Sequence, residues 1–263
     1  MPLIEQSRND LSRSTEKLRL DRISVSFDRN GESMAVLNAI NLDVAQGELL
    51  CILGPSGCGK STLLNLMAGF LTPDSGTVSI DGAEVRGPDP RRIFVFQERG
   101  VFPWLTVTGN VQFGLQKLPR SERHERANHY IKMVGLEGFE HSYPAELSGG
   151  MKQRLEVARA LAVRPDTLFL DEPFSALDSI TRLTMRKELL RIWELEKKTI
   201  ILVTHDIDEA VQLADRIVLL TQRPAAVQEI VPVAIAHPRN TLSQEYIEIR
   251  AEIARKLGIP EQV

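Results

Sequence analysis

The stretch Gly54-Pro55-Ser56-Gly57-Cys58-Gly59-Lys60-Ser61-Thr62 restricts this 263-residue chain more than any other. It lies between a continuous apolar run, Leu49 to Leu53, and a segment in which Leu63, Leu64, Leu66 and Met67 fall at helical spacing. Strand, loop and helix therefore come in the order that a phosphate cradle requires. Glycines let the loop turn tightly and aim its N–H groups at phosphate oxygens, and the dipole of the following helix favours the anion. In such a cradle Lys60 reaches the β- and γ-phosphates and Ser61 holds Mg²⁺.

Composition narrows the alternatives. A formal charge of -3 offers no global attraction to nucleic acid. No apolar run approaches the roughly 18–20 residues that cross a bilayer, and the polar N-terminus is unlike a secretory signal, so a membrane role requires partners. The two cysteines, Cys51 in the expected strand and Cys58 in the cradle, fit neither a disulfide framework nor a metal-ligand spacing. They suit a reducing cytoplasm.

Residues 1–17 lack a sustained period and read as a flexible extension. Leu18 to Phe27 alternates apolar and polar, as does Val36 to Val44 less regularly, so a hairpin is expected with its turn at Asp28 to Ser33. At its tip, Phe27 is either a strand-end core residue or a ring for stacking a base. After the cradle helix, short strands are expected at Thr77 to Ile80 and at Arg92 to Phe96, the second ending at Gln97, which taken alone is a solvated loop residue. From about 98 to 165 the chain turns helical and polar. Val101 to Leu105 is an apolar patch that is either a core plug or a contact surface. Arg120 to Val134 places Ala127, Tyr130, Ile131 and Val134 on one face.

Leu147-Ser148-Gly149-Gly150 leads into a helical run from Met151 to Val163. The glycines form either a permissive turn or a second anion site at a helix N-terminus. Thr167 to Leu170 is of buried-strand type and ends in the paired acids Asp171-Glu172. In a phosphate-binding enzyme one acid at that place holds Mg²⁺ and the next accepts a proton from water. Ser175-Ala176-Leu177-Asp178 precedes an amphipathic helix, Thr181 to Lys198, expected to bury Leu183, Leu189, Leu190 and Trp193. Thr199 to Val203 is a further strand, followed by Thr204-His205-Asp206 where an open α/β sheet presents its ligands. Strands at Arg216 to Leu220 and Gln228 to Val231 follow, then a terminal helix with Leu242, Tyr246, Ile249, Ile253 and Leu257 on one side.

In this order the motifs resemble the ATP-binding cassette of an ABC transporter, and the likeness runs from about Leu18 to Leu220. GPSGCGKS resembles Walker A, Gln97 the Q-loop, LSGGMKQR the signature, LFLDE Walker B, SALD with Asp178 the D-loop, and His205 the switch histidine. The resemblance implies an α/β P-loop NTPase with a mainly parallel core sheet, an antiparallel β subdomain and an α-helical subdomain at about 98–165. The ATPase domain would span 18–240 and a helical tail 241–263. It further implies ATP and Mg²⁺ as ligands: Phe27 stacks on adenine, and residues 54–62 cradle the phosphates. Ser61, Gln97 and Asp171 attend the metal. Glu172, His205, Gln97 and Lys60 carry out hydrolysis. Ser148, Gly149, Gly150 and Asp178 act across a head-to-tail homodimer. Met151 departs from the glutamine common after the signature glycines, which removes one polar contact near the nucleotide.

Gly87-Pro88 before the Q-loop strand and Phe102-Pro103-Trp104 after it resemble the nitrate, sulfonate and taurine importer branch. That likeness implies a peripheral ATPase on the cytoplasmic face of the membrane, docked to integral permease subunits and serving, indirectly, a solute-binding protein. Export is the alternative direction. A soluble cassette acting on nucleic acid or ribosomes is the alternative class, and it is disfavoured by the charge and by the lack of a long coiled-coil insertion or a second cassette.

Overall fold

The computed structural model describes residues 15–29, 31–96 and 100–259. Gln97 and residues 1–14 lie outside them. Ten strands and seven α-helices are described. The hairpin pairs β1 (Glu16–Arg29) with β2 (Glu32–Ala45), longer at both ends than the alternation suggests. β1 starts inside the expected extension, with Lys17 buried and paired to Asp81 at 2.8 Å. With β4 (Ser75–Ile80) and β5 (Ala83–Glu84) the hairpin forms a four-stranded antiparallel sheet of order β2-β1-β4-β5.

The second sheet has six strands in the order β10-β9-β3-β8-β7-β6. β3 (Leu49–Leu53), β6 (Arg92–Val95), β7 (Thr167–Asp171), β8 (Thr199–Val203) and β9 (Arg216–Leu220) run parallel, and β10 (Val227–Pro232) closes the edge antiparallel. β3, β7 and β8 are buried at every position, as expected of parallel strands covered on both faces. Alternate residues serve the two faces. Leu50, Ile52, Phe169, Ile201, Val203, Val218 and Leu220 pack with the antiparallel sheet and with the helix α1 (Lys60–Ala68). Leu49, Cys51, Leu53, Leu168, Leu170, Ile200, Leu202 and Leu219 pack against helices on the other side.

The helices that share this core are α2 (Val107–Gln112), α3 (Arg120–Met133), α4 (Gly149–Ala162), α5 (Ser179–Glu196), α6 (Ile207–Leu213) and α7 (Gln244–Lys256). α3 buries Ala127, Tyr130 and Ile131 as its period predicts. Two faces need correction. On α5 the inward residues are Met185, Arg186, Leu189, Ile192 and Trp193, whereas Leu183 is exposed and Leu190 only partly buried. The segment holds two apolar stripes, and a buried arginine completes the one that packs. Leu242 is exposed and precedes α7, because Ser243 caps that helix by accepting the N–H of Tyr246.

Candidate active site

The C-terminal ends of the parallel strands converge on one edge, where the loops after β3, β7 and β8 meet. Gly57 and Gly59 adopt φ of +73° and +123°, and a Cβ on Gly59 would stand 2.9 Å from Val36 Cγ1. The cradle therefore lies flush against the hairpin. Lys60 is buried at 7% exposure, and its ammonium donates to the carbonyls of Gly54 and Pro55 at 2.9 and 3.0 Å, holding the charge inside the turn. Pro55, Ser56 and Gly57 form the open rim, with Ser61 and Thr62 on the first turn of α1. Cys58 points away from the rim into the core between the sheets, where burial pushes its thiol up.

The paired acids separate at the end of β7. Asp171 remains in the strand, 5% exposed, while Glu172 takes φ +49°, a left-handed backbone that a glutamate adopts only under constraint. That constraint is visible. The Glu172 N–H donates to Val203 O at 2.9 Å, and its carbonyl accepts from the Ser175 hydroxyl at 3.0 Å and from the Gln153 amide at 3.2 Å. The turn aims the Glu172 carboxylate at His205, whose Nδ1 lies 3.2 Å from Oε2. His205 itself is exposed. Sequence reasoning missed Gln153, although its position on the buried face of α4, two residues after Met151, is a signal that helical spacing carries.

Asp171 also tests for a cation. Burial raises its pKa, the neighbouring Glu172 charge adds to that, and the Ser61 hydroxyl and Lys60 pull it back. One of its oxygens, Oδ1, is buried without a hydrogen-bond partner. A carboxylate with an unused buried oxygen beside a serine hydroxyl fits a hard cation such as Mg²⁺, which takes few protein ligands and completes its shell with water and phosphate. Among the described residues no group of three or more His, Cys, Asp or Glu could hold a metal without such help.

Phe27, opposite Met34 in the hairpin, is 40% exposed, so it is a presented ring and not a core residue. Arg223 was not anticipated; it donates to Gly57 O and reaches Met34 Sδ, bridging cradle and hairpin. Ser148 caps α4 by accepting the Met151 N–H at 3.3 Å, and Gly149 and Gly150 open the helix. Met151 packs partly against the core, which accounts for an apolar residue there. Asp178 caps α5, accepting from Thr181 N at 3.0 Å. Ser148 and Asp178 are exposed, each serving as a helix cap. The patch at 101–105 is half plug and half surface. The buried Asn110 binds the backbone of Phe102, Leu105 and Thr106, whereas Trp104 is 68% exposed.

A phosphate loop at the end of one parallel strand, with an acid pair and a histidine at the ends of two others, defines a P-loop nucleoside triphosphatase. The family profile described as ABC transporter matches residues 37–175. The chain is 42% identical over 248 residues to the nitrate import ATP-binding protein of Synechococcus elongatus, covering 91% of this chain and 90% of the relative. It is 47% identical over 222 residues to the taurine import ATP-binding protein of Pseudomonas aeruginosa, covering 84% of each. It superposes, at TM-score 0.76 and 33% identity, on a solved dimeric structure of a post-hydrolysis ATP-binding cassette bound to ADP and Pi, covering 83% of this chain and 100% of that one. The chain belongs to the ABC transporter family, as an ATP-hydrolysing cassette subunit.

Proposed function

We propose that this cassette powers import of a small solute through separate integral permease subunits, working from the cytoplasmic face of the membrane as a head-to-tail homodimer. The observation that carries the hydrolytic part is the Glu172 carboxylate, held by a strained backbone 3.2 Å from His205 beside the Lys60 cradle. Glu172 acts as general base toward water attacking the γ-phosphate, and His205 fixes its orientation. Lys60 shifts from its loop carbonyls to the β- and γ-phosphates, and Phe27 stacks on the adenine. Mg²⁺, when bound, neutralises phosphate charge, and Ser61, Asp171 and Gln97 are the residues that would hold it. Ser148, Gly149 and Gly150 of a second copy close the site from the other side with N–H groups and a hydroxyl, and Asp178 lies at the same junction. Catalysis of this kind is positioning and electrostatics, so each group matters through where it stands.

Among the described residues no helix is long and apolar enough to cross a membrane, so transport would need permease subunits. A groove of about 360 Å³ lined by Phe70, Phe94, Phe96, Phe102, Phe113 and Arg159 borders the strand that leads to Gln97, and we assign the permease dock to it. The helices between 98 and 165 then carry the signature as a separate lever. Likeness to both a nitrate and a taurine importer supports import, with selectivity lying in the permease and a solute-binding protein. Glu172→Gln tests the assignment: nucleotide binding stays within about twofold while turnover falls at least about 10²-fold. Normal hydrolysis by that variant contradicts it.

A further inference from the structure

Behind His205 lies a cluster of charges that the hydrolytic pair does not itself use. Arg186 on α5 is 7% exposed, and its guanidinium donates to Asp206 Oδ2 at 2.6 Å and to Gln212 Oε1 at 3.4 Å. Its Nε stands 3.6 Å from Glu209 Oε1. Asp206, the residue after His205, caps α6 by accepting the Glu209 N–H at 3.1 Å and donates its own N–H to Thr204 Oγ1 at 3.1 Å. The Thr204 hydroxyl in turn donates to Glu209 Oε2, and the Thr204 N–H donates to Ile52 O, two residues before the cradle, at 3.3 Å. The residues on both sides of His205 are thus fixed while its ring remains exposed. Arg182, one turn earlier on α5, donates to the Leu177 carbonyl in the D-loop at 2.9 Å and lies 3.8 Å from Asp206. A cavity of about 30 Å³, lined by Glu172, Arg182, Thr204, His205 and Glu209 among others, joins the cluster to the catalytic edge.

We propose that Arg186 is a positioning residue for hydrolysis: by gripping Asp206 and Glu209 it seats His205 against Glu172, and Arg182 extends the grip to the D-loop. The inference rests on the reading of Glu172 and His205 as the hydrolytic pair. Truncating a buried charge that two carboxylates share leaves them unpaired, so Asp206 loosens and the histidine with it. The cradle is untouched, and nucleotide affinity is preserved.

The test measures ATPase kinetics of the full chain for Arg186→Met, Arg186→Lys, His205→Ala and the double variant Arg186→Met/His205→Ala, each assayed well below its melting midpoint. Arg186→Met lowers kcat about tenfold with KM for ATP within about twofold, and the lysine, which keeps the charge but not the fork, falls between. In the His205→Ala background, Arg186→Met costs no more than about a further twofold, because its effect passes through that histidine. The proposal is overturned if Arg186→Met retains wild-type kcat, or if the two losses multiply. Should Arg186→Met not fold, Asp206→Asn takes its place. It keeps the cap oxygen, and a loss of at least about threefold with the same dependence on His205 is expected; multiplying losses again overturn the proposal. Normal hydrolysis by His205→Ala sinks the assignment of the hydrolytic pair instead, whereas an inactive His205→Ala beside a fully active Arg186→Met sinks only the role of Arg186.

Discussion

Gly59 shows how tightly one residue can be specified. At φ +123° any side chain is strained, and a Cβ there would also meet Leu37 Cδ2 at 3.0 Å as well as Val36. Gly59→Ala therefore destabilises the chain by about 1–3 kcal/mol, read as a shift in the urea midpoint. Gly82 makes the control, since at φ +74° it has open space around it and its alanine variant meets only the backbone cost of about 1 kcal/mol. The glycine pattern was legible because spacing alone marks a phosphate turn. The positive φ of Glu172 was not, because it goes with hydrogen bonds that its N–H and C=O make with Val203 and Gln153, distant in the chain, and with Ser175 in the turn itself. Phe27 is intermediate: the alternation placed it at the hairpin tip, and only the fold shows that its ring is presented.

A second residue carries a pH dependence. His237 stacks edge-on to Trp193 with centroids 5.4 Å apart, and burial, with Arg239 and Lys197 nearby, lowers its pKa to about 4. A histidine whose folded pKa lies below its unfolded value near 6.5 stabilises the fold fully above that value. The contribution is lost as pH falls from about 6.5 toward the folded value of about 4. His237→Gln flattens the melting midpoint against pH within that window, and an unchanged acid slope would show that other groups control it.

At the scale of elements, α5 separates pattern from packing. Apolar residues at 183 and 190 lie on one stripe and those at 185, 189 and 192 on another, and only the second is buried together with Arg186. A charged residue normally marks the solvent side, so beside Arg186 the spacing named Leu189 and Trp193 of the packed stripe but missed Met185 and Ile192. Met185→Ala is expected to cost about 2–5 kcal/mol and Leu183→Ala less than about 0.5 kcal/mol in chemical denaturation. Equal losses would contradict the packed face. By contrast β3, β7 and β8 were evident from continuous apolar runs, because strands covered on both faces admit little else. Where those strands end decides where Lys60, Asp171, Glu172 and His205 stand, so the place of these four side chains was legible with them. The network of Arg182, Arg186, Asp206 and Glu209 was not, since it joins two helices through tertiary contact alone.

At the scale of the whole molecule, one sheet is covered on one face by the hairpin sheet and α1, and on the other by a core that it shares with the remaining helices. Within one chain Lys60, Asp171, Glu172 and His205 gather where the loops after β3, β7 and β8 meet, whereas Ser148 and Asp178 face outward as helix caps. On the function proposed above, the cradle is half of a site and a second copy supplies the rest. The most direct test is the molar mass of Glu172→Gln in solution with and without ATP and Mg²⁺, beside Glu172→Gln/Ser148→Arg. ATP is expected to convert the single variant to twice the monomer mass and to leave the double variant monomeric although it still binds nucleotide. A single variant that binds ATP and stays monomeric, or a double variant that dimerises equally well, would contradict this reading.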